Sequence, residues 1–243
     1  MTVARRFLML SGAVGLVVLA FLGWSWFRDS PLVKVRHVEI TGVSNGPDAA
    51  AIKHDLTRTA RGMTTLDVST KKLEHAVSAY PIVRSVSASG DFPSTVQVSV
   101  HEYVAVAALT GPDGNSMPVA FDGTLLPRAG KGKLPAVAVT ATPAHDGFES
   151  ERVRILVRVL AAAPLALRSE LDRAFVSRED GIQVTLRDGP TLVLGTSGRL
   201  PAKWASAARV LAAPSSSGAD EIDVRLPERP SASGFTNASN PQL

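Results

Sequence analysis

Twenty-one consecutive residues without a charge, Phe7 to Phe27 (FLMLSGAVGLVVLAFLGWSWF), constrain this 243-residue chain more than any other stretch. At about 1.5 Å rise per residue, a helix of that length covers roughly 31 Å, the hydrocarbon thickness of a bilayer. The run predicts a single N-terminal transmembrane helix over 7–27. Arg5 and Arg6 precede it with no acid nearby, whereas Arg28 is offset by Asp29. The positive-inside rule then puts residues 1–6 in the cytoplasm and the remainder outside the cytoplasmic membrane, with Trp24 and Trp26 at the far interface. The competing reading is a cleaved signal peptide. Its one small-residue candidate, Val18-Leu19-Ala20, is followed by more apolar residues, which favours an uncleaved anchor.

Beyond the run there is room for two small domains, each with its own core. The formal charge is +4, and the basic residues are interspersed with acidic ones, so no patch calls for a nucleic-acid partner. The absence of cysteine excludes a disulfide framework, a thiol nucleophile and a cysteine-based zinc site.

The first external segment reads as strand, helix, helix, strand, strand. Val33 and Val35, then Val38 and Ile40, alternate with one slip of phase at Arg36-His37, which predicts a bulged strand. Asp48 is placed to cap a helix carrying Ile52, Leu56 and Ala60, which Gly62 ends. A second helix carries Leu73, Ala76, Val77 and Tyr80 and stops at Pro81. Strands follow from Ile82 to Ala88 and from Thr95 to about Val106, joined by Gly90-Asp91-Phe92-Pro93.

From residue 107 the character changes. A short strand is expected at Val119 to Phe121, and a helix from Glu149 to Ala163 with Val153, Leu156, Val157 and Leu160 inward. A strand is expected from Arg173 to Ser177, then a hairpin of Gly181–Leu186 and Thr191–Leu194 about Asp188-Gly189. A helix over Leu200–Ala213 carries Trp204, Ala208 and Leu211, and a last strand runs from Glu221 to Leu226. Beyond it the chain is rich in Pro, Ser and Asn and is expected to be disordered.

No stretch carries a complete catalytic, metal or cofactor motif, and a Ser-His-Asp triad, which assembles in space, stays open on sequence alone. His101-Glu102 resembles half of the H-E-x-x-H zinc motif, but position 105 is Ala, and a period-two pattern turns neighbouring side chains to opposite faces. The other histidines, His37, His54, His75 and His145, fall singly on different elements. There is no G-x-S-x-G elbow, and Gly195-Thr196-Ser197-Gly198 lacks the Lys-Ser/Thr ending of a phosphate loop. Arg152, Arg154 and Arg158 read as the solvated face of a helix.

In order, these features resemble the FtsQ/DivIB cell-division family. Val35-Arg36-His37-Val38-Glu39-Ile40-Thr41-Gly42 is similar to its opening strand, Tyr80-Pro81-Ile82-Val83 to the turn after its second helix, and Phe92-Pro93-Ser94-Thr95-Val96 to its aromatic-Pro strand. Val100-His101-Glu102-Tyr103-Val104-Ala105-Val106-Ala107 occupies the place of its V-x-E-R-x-P-V-A junction, with Tyr103 and Ala105 where the family has Arg and Pro. Phe121-Asp122-Gly123, Lys133-Leu134-Pro135, Val193-Leu194-Gly195, Lys203 and Ile222-Asp223-Val224-Arg225-Leu226-Pro227 continue the match.

The resemblance implies an α+β chain: a transmembrane helix, a POTRA domain (β-α-α-β-β) over 33–106, then a mixed α/β domain over 107–228, called the β domain, ending in an exposed edge strand, with a disordered tail at 229–243. It implies a single-pass protein at the division septum, without catalysis or cofactor, that binds FtsB-like and FtsL-like partners and helps control septal peptidoglycan synthesis. A partner strand would add beside Asp220, Glu221, Ile222, Asp223, Val224, Arg225 and Leu226, and Glu102 and Tyr103 would mark the domain junction. A membrane-anchored cell-wall hydrolase is the alternative from another class.

Overall fold

The computed structural model describes residues 33–235, Lys131 excepted. The expected span over 7–27 lies outside the described residues, and among those residues no helix is long and apolar enough to cross a membrane. Two compact units meet in the chain between Tyr103 and Val104.

The first unit runs β1 (His37–Thr41), α1 (Ala49–Arg61), α2 (Thr70–Ala76), β2 (Val83–Asp91) and β3 (Thr95–Glu102). Its sheet has the order β1-β3-β2, with β1 parallel and β2 antiparallel to β3. The alternation of β3 buries Val96, Val98 and Val100 in one row against Ile52, Leu56 and Ala60 of α1 and Leu73 of α2. Just after α2, Tyr80 donates its hydroxyl to Asp55 Oδ2 at 2.8 Å and so ties the second helix to the first. The slip of apolar phase in the first segment has a visible cause. The amides of Arg36 and His37 both donate to the Ser94 carbonyl, at 2.8 and 3.1 Å. Two residues thus oppose one, so Val33 and Val35 point inward before the slip and Val38 and Ile40 pack against the same core after it. The expected cap is altered in detail: Asp48 precedes α1, but its side chain makes no capping hydrogen bond.

The second unit runs β4 (Ala107–Thr110), β5 (Ser116–Val119), β6 (Ala136–Ala138), α3 (Glu151–Ala161), α4 (Leu165–Arg168), β7 (Leu171–Ser177), β8 (Gly181–Leu186), β9 (Thr191–Gly195), α5 (Leu200–Leu211), β10 (Glu221–Asp223) and β11 (Ser231–Ser233). All eight strands form one mixed sheet in the order β11-β10-β9-β8-β7-β6-β4-β5. The apolar face of α3, capped by Ser150 Oγ accepting from the Val153 amide, joins the sheet in one core. Trp204 of α5, 1% exposed, donates Nε1–H to the Val159 carbonyl at 3.1 Å and links the two long helices.

Three expectations need correction. The strand read from Thr95 to Val106 ends at Glu102: the Tyr103 amide makes a last bond to the Ile82 carbonyl at 2.8 Å, and Val104 is 67% exposed although it keeps the apolar phase. The strand expected at Val119 to Phe121 lies earlier, at Ser116–Val119, because β5 pairs with β4 in the register Ala107↔Val119 to Thr110↔Ser116. The expected exposed edge is covered. β10 is flanked by β9 on one side and by β11 on the other, so Ser231–Ser233, read as disordered tail, form a strand and are themselves the edge.

Candidate functional site

The residues assigned to partner binding lie on and just after β10. In the parallel ladder Glu221, Ile222 and Asp223 stand beside Thr191, Leu192 and Val193. The Thr191 amide donates to the Asp220 carbonyl and the Val224 amide to the Val193 carbonyl, both at 2.9 Å. On the other side Glu221, Ile222 and Asp223 face Ser233, Ala232 and Ser231, and the Asp220 amide donates to the Ser233 carbonyl at 3.0 Å.

Burial divides the seven residues. Ile222 and Val224 are core, at 1% and 0% exposure; Glu221 and Asp223 are half-buried; Asp220, Arg225 and Leu226 are exposed. Leu226, expected on the same face as Ile222 and Val224, is 63% exposed because the strand stops at Asp223. There the Arg225 amide donates to Asp223 Oδ1 at 2.8 Å, and Arg225 Nε and Nη2 donate to Oδ2 at 2.9 and 2.7 Å. Burial pushes the Asp223 carboxyl up, but these hydrogen bonds and the charge of Arg225 outweigh it and hold the group below the usual carboxylate range. Arg225 also reaches Asp180 at 3.4 Å, and its aliphatic stem lies across Gly195, where a Cβ would come within 2.9 Å of Arg225 Cγ.

A buried cation supports this end of the sheet. Lys203 of α5 donates Nζ to the carbonyls of Leu194 and Thr196 at 2.7 and 2.9 Å, fixing the exit from β9 that Arg225 packs on. Burial holds its ammonium below the usual lysine range; Arg199 pushes the same way and Asp223 opposes. The nearby pair of Arg199 and Glu228 is largely exposed, and such pairs contribute little.

At the junction, Glu102 extends the apolar row of β3 and accepts from the Ser44 amide at 3.1 Å, while His101 is exposed on the other face of the strand. Tyr103, standing where the family pattern has Arg, lies with its ring centroid 6.0 Å from the Arg84 guanidinium, at the limit of a cation–π contact. An open depression of about 530 Å³ beside α3 includes Glu149 and Ser150. Glu149 accepts from the Thr140 amide and Ser150 from the Val153 amide, so both are engaged in local structure.

A family model described as POTRA domain, FtsQ-type, matches residues 33–103, and one described as Cell division protein FtsQ/DivIB, C-terminal, matches residues 108–225. The chain belongs to the FtsQ/DivIB family. Its POTRA domain is the first unit and its FtsQ/DivIB C-terminal domain, here called the β domain, lies in the second. Curated relatives named Cell division protein FtsQ include that of Mycolicibacterium smegmatis, 26% identical over 201 residues, covering 83% of this chain and 57% of the relative. That of Mycobacteroides abscessus is 26% identical over 208 residues, covering 83% and 62%. The chain thus spans about three fifths of the length of the curated relatives it matches.

Two features of this end of the sheet escaped the sequence reading. β11 is Ser-Ala-Ser and has no apolar alternation; its signal is the tight turn before it, Leu226 to Pro230, closed by the Arg229 amide on the Leu226 carbonyl at 2.9 Å. Lys203 belongs to the family pattern read from the sequence, but its support of this end has no local signal, since its acceptors belong to β9 and the loop that follows.

Proposed function

We propose that this FtsQ/DivIB protein is a bitopic scaffold of the division machinery. Residues 1–6 lie in the cytoplasm, 7–27 anchor the chain, and both units stand outside the cytoplasmic membrane at the septum. It joins FtsB-like and FtsL-like partners and helps control septal peptidoglycan synthesis, without catalysis of its own. The observation that carries the reading is the succession of the two family matches along one chain behind a 21-residue uncharged run. The local engagement of Glu149 and Ser150 favours the scaffold over the wall hydrolase.

The covered edge sharpens the partner site. β11 holds three residues of β10 and half-buries only Ala232, so opening it gives up few contacts. A partner strand that takes its place gains the same ladder and, with a larger apolar residue opposite Ile222, buries more surface. Half-buried Glu221 and Asp223, which face Ser233 and Ser231, would favour hydroxyl or basic side chains on that strand. Photocrosslinkers at Asp220, Glu221 and Arg225 in growing cells test this. Capture of a small division partner should rise when the chain is truncated before Ser231; capture that is absent, or falls on truncation, sinks the strand exchange. Depletion should yield filamentous or unseparated cells, and normal division under depletion would sink the scaffold role.

A further inference from the structure

Two exposed apolar side chains of the POTRA domain stand at the end where the chain enters it. Phe92, 64% exposed, is at the tip of the β2–β3 hairpin, and Leu66, 42% exposed, is at the tip of the turn closed by the Asp67 amide on the Thr64 carbonyl. The tips are packed together. A Cβ on Gly90 would come within 1.9 Å of the Thr65 carbonyl oxygen, so only glycine allows β2 to run this close to the turn. Thr65 Oγ1 donates to the Pro93 carbonyl at 3.2 Å, and the Thr65 amide donates to the Val33 carbonyl at 2.9 Å. Val33 is fully buried, so the domain has no slack there.

Five residues separate Val33 from Phe27, the last residue of the apolar run, and even fully extended they cover no more than about 20 Å. Resting on the reading of that run as a membrane anchor, we infer that Phe92 and Leu66 dip into the outer headgroup layer of the anchoring bilayer and hold the POTRA domain against it. Phenylalanine and leucine favour the boundary between headgroups and acyl chains, where apolar surface leaves water without crossing the membrane. Two such side chains would bind a bilayer weakly from free solution. A short tether makes the contact intramolecular and raises the effective concentration of lipid at the tips. Charge does not decide the contact, because exposed Lys34 and Arg36 at this end are matched by exposed Asp67 and Asp91.

The chain has no cysteine, so single thiols can carry a fluorophore without background. The test uses full-length protein in vesicles of phosphatidylethanolamine and phosphatidylglycerol with spin-labelled lipids. Asp91→Cys reports the hairpin tip with Phe92 intact. Asn45→Cys, in the β1–α1 loop beside the Ser44 contact to Glu102, reports the other end of β3, roughly 20 Å away along the strand. Leu16→Cys reports the apolar run. Headgroup labels should quench the Asp91 probe several-fold more than the Asn45 probe, and adding Phe92→Ser and Leu66→Ser should bring the two together. Equal quenching at the two positions, with Leu16 quenched by acyl-chain labels, overturns the inference and leaves the anchor standing. An unquenched Leu16 probe removes the anchor reading and the inference with it. Quenching at Asp91 that survives both serine substitutions assigns the proximity to the tether alone and overturns the apolar contact.

Discussion

The two units hold their strands in different ways. In the POTRA domain the central strand is eight residues long and secures itself, because Val96, Val98 and Val100 place three buried side chains in one row. In the β domain β6, β10 and β11 have three residues each and are held by what lies on either side. Ile222 is the one fully buried residue of β10, and the strand's place depends on β9 and on β11. A strand that stabilises itself survives the loss of a neighbour; one held by its surroundings transmits every disturbance of them.

The largest test of that contrast is a pair of core truncations. Trp204→Ala removes a buried indole and its bond to the Val159 carbonyl and should cost about 3–5 kcal/mol, whereas Leu56→Ala in α1 should cost about 2–5 kcal/mol. Denaturant unfolding followed by amide exchange in each unit should show Trp204→Ala lowering protection across β9–β11 and leaving β1–β3 unchanged, and Leu56→Ala the reverse. If either substitution moves both units together, they do not fold as separate cores.

A smaller effect separates β10 from the strand that covers it. Val224→Pro deletes the donor to the Val193 carbonyl and forces a ring into a fully buried site, at a cost of about 2–4 kcal/mol. Ala232→Pro in β11 disturbs a half-buried edge and should cost less than about 1 kcal/mol. The contrast is read from thermal unfolding of the β domain. Equal losses would mean that β11 belongs to the cooperative core and is no exchangeable cover.

The same contrast explains what could be read from the chain. The POTRA order was legible because each element carries its own period: Ile52, Leu56 and Ala60 four apart, and the valines of β3 two apart. The slip at Arg36-His37 was visible as a break in phase, although its cause, two amides on the Ser94 carbonyl, needs a residue 58 positions beyond Arg36. Ala136–Ala138 and Ser231–Ser233 are too short to show a period and are strands only because their partners make them so. At the proposed partner site, the identity of β10 was legible and its burial was not. Alternation placed Ile222, Val224 and Leu226 on one face, but the Arg225 bonds to Asp223 end the strand before Leu226 can follow.

Lys203 tests whether support from below matters. Lys203→Met leaves the Leu194 and Thr196 carbonyls without their donor and should cost about 1–2 kcal/mol near neutral pH. The ammonium is held below lysine's usual range, so the folded chain binds this proton less tightly than the unfolded one. Wild-type stability should therefore climb as pH rises toward the unfolded value near ~10.4, and the methionine variant should lack that climb. Asp223 acts at the acid end. Its depressed carboxyl gives stability that is present above ~4 and is lost as pH falls through the folded value. Urea titrations across pH measure both limbs; an alkaline climb unchanged in Lys203→Met would remove the buried cation as its cause.

The smallest effect belongs to Glu102, at the end of a strand that secures itself. Its carboxylate takes one amide bond, from Ser44, at an exposed position where water can replace it. Glu102→Ala should therefore lower POTRA stability by only about 0.5–1 kcal/mol, with β3 keeping its register through Val96, Val98 and Val100. Amide exchange at Ser44 should quicken while exchange along β3 stays slow. A loss above about 2 kcal/mol, or faster exchange at Val98 and Val100, would show that Glu102 holds the strand in place. The POTRA sheet would then depend on its surroundings as β10 does, and the distinction between the two units would fail at the residue where one gives way to the other.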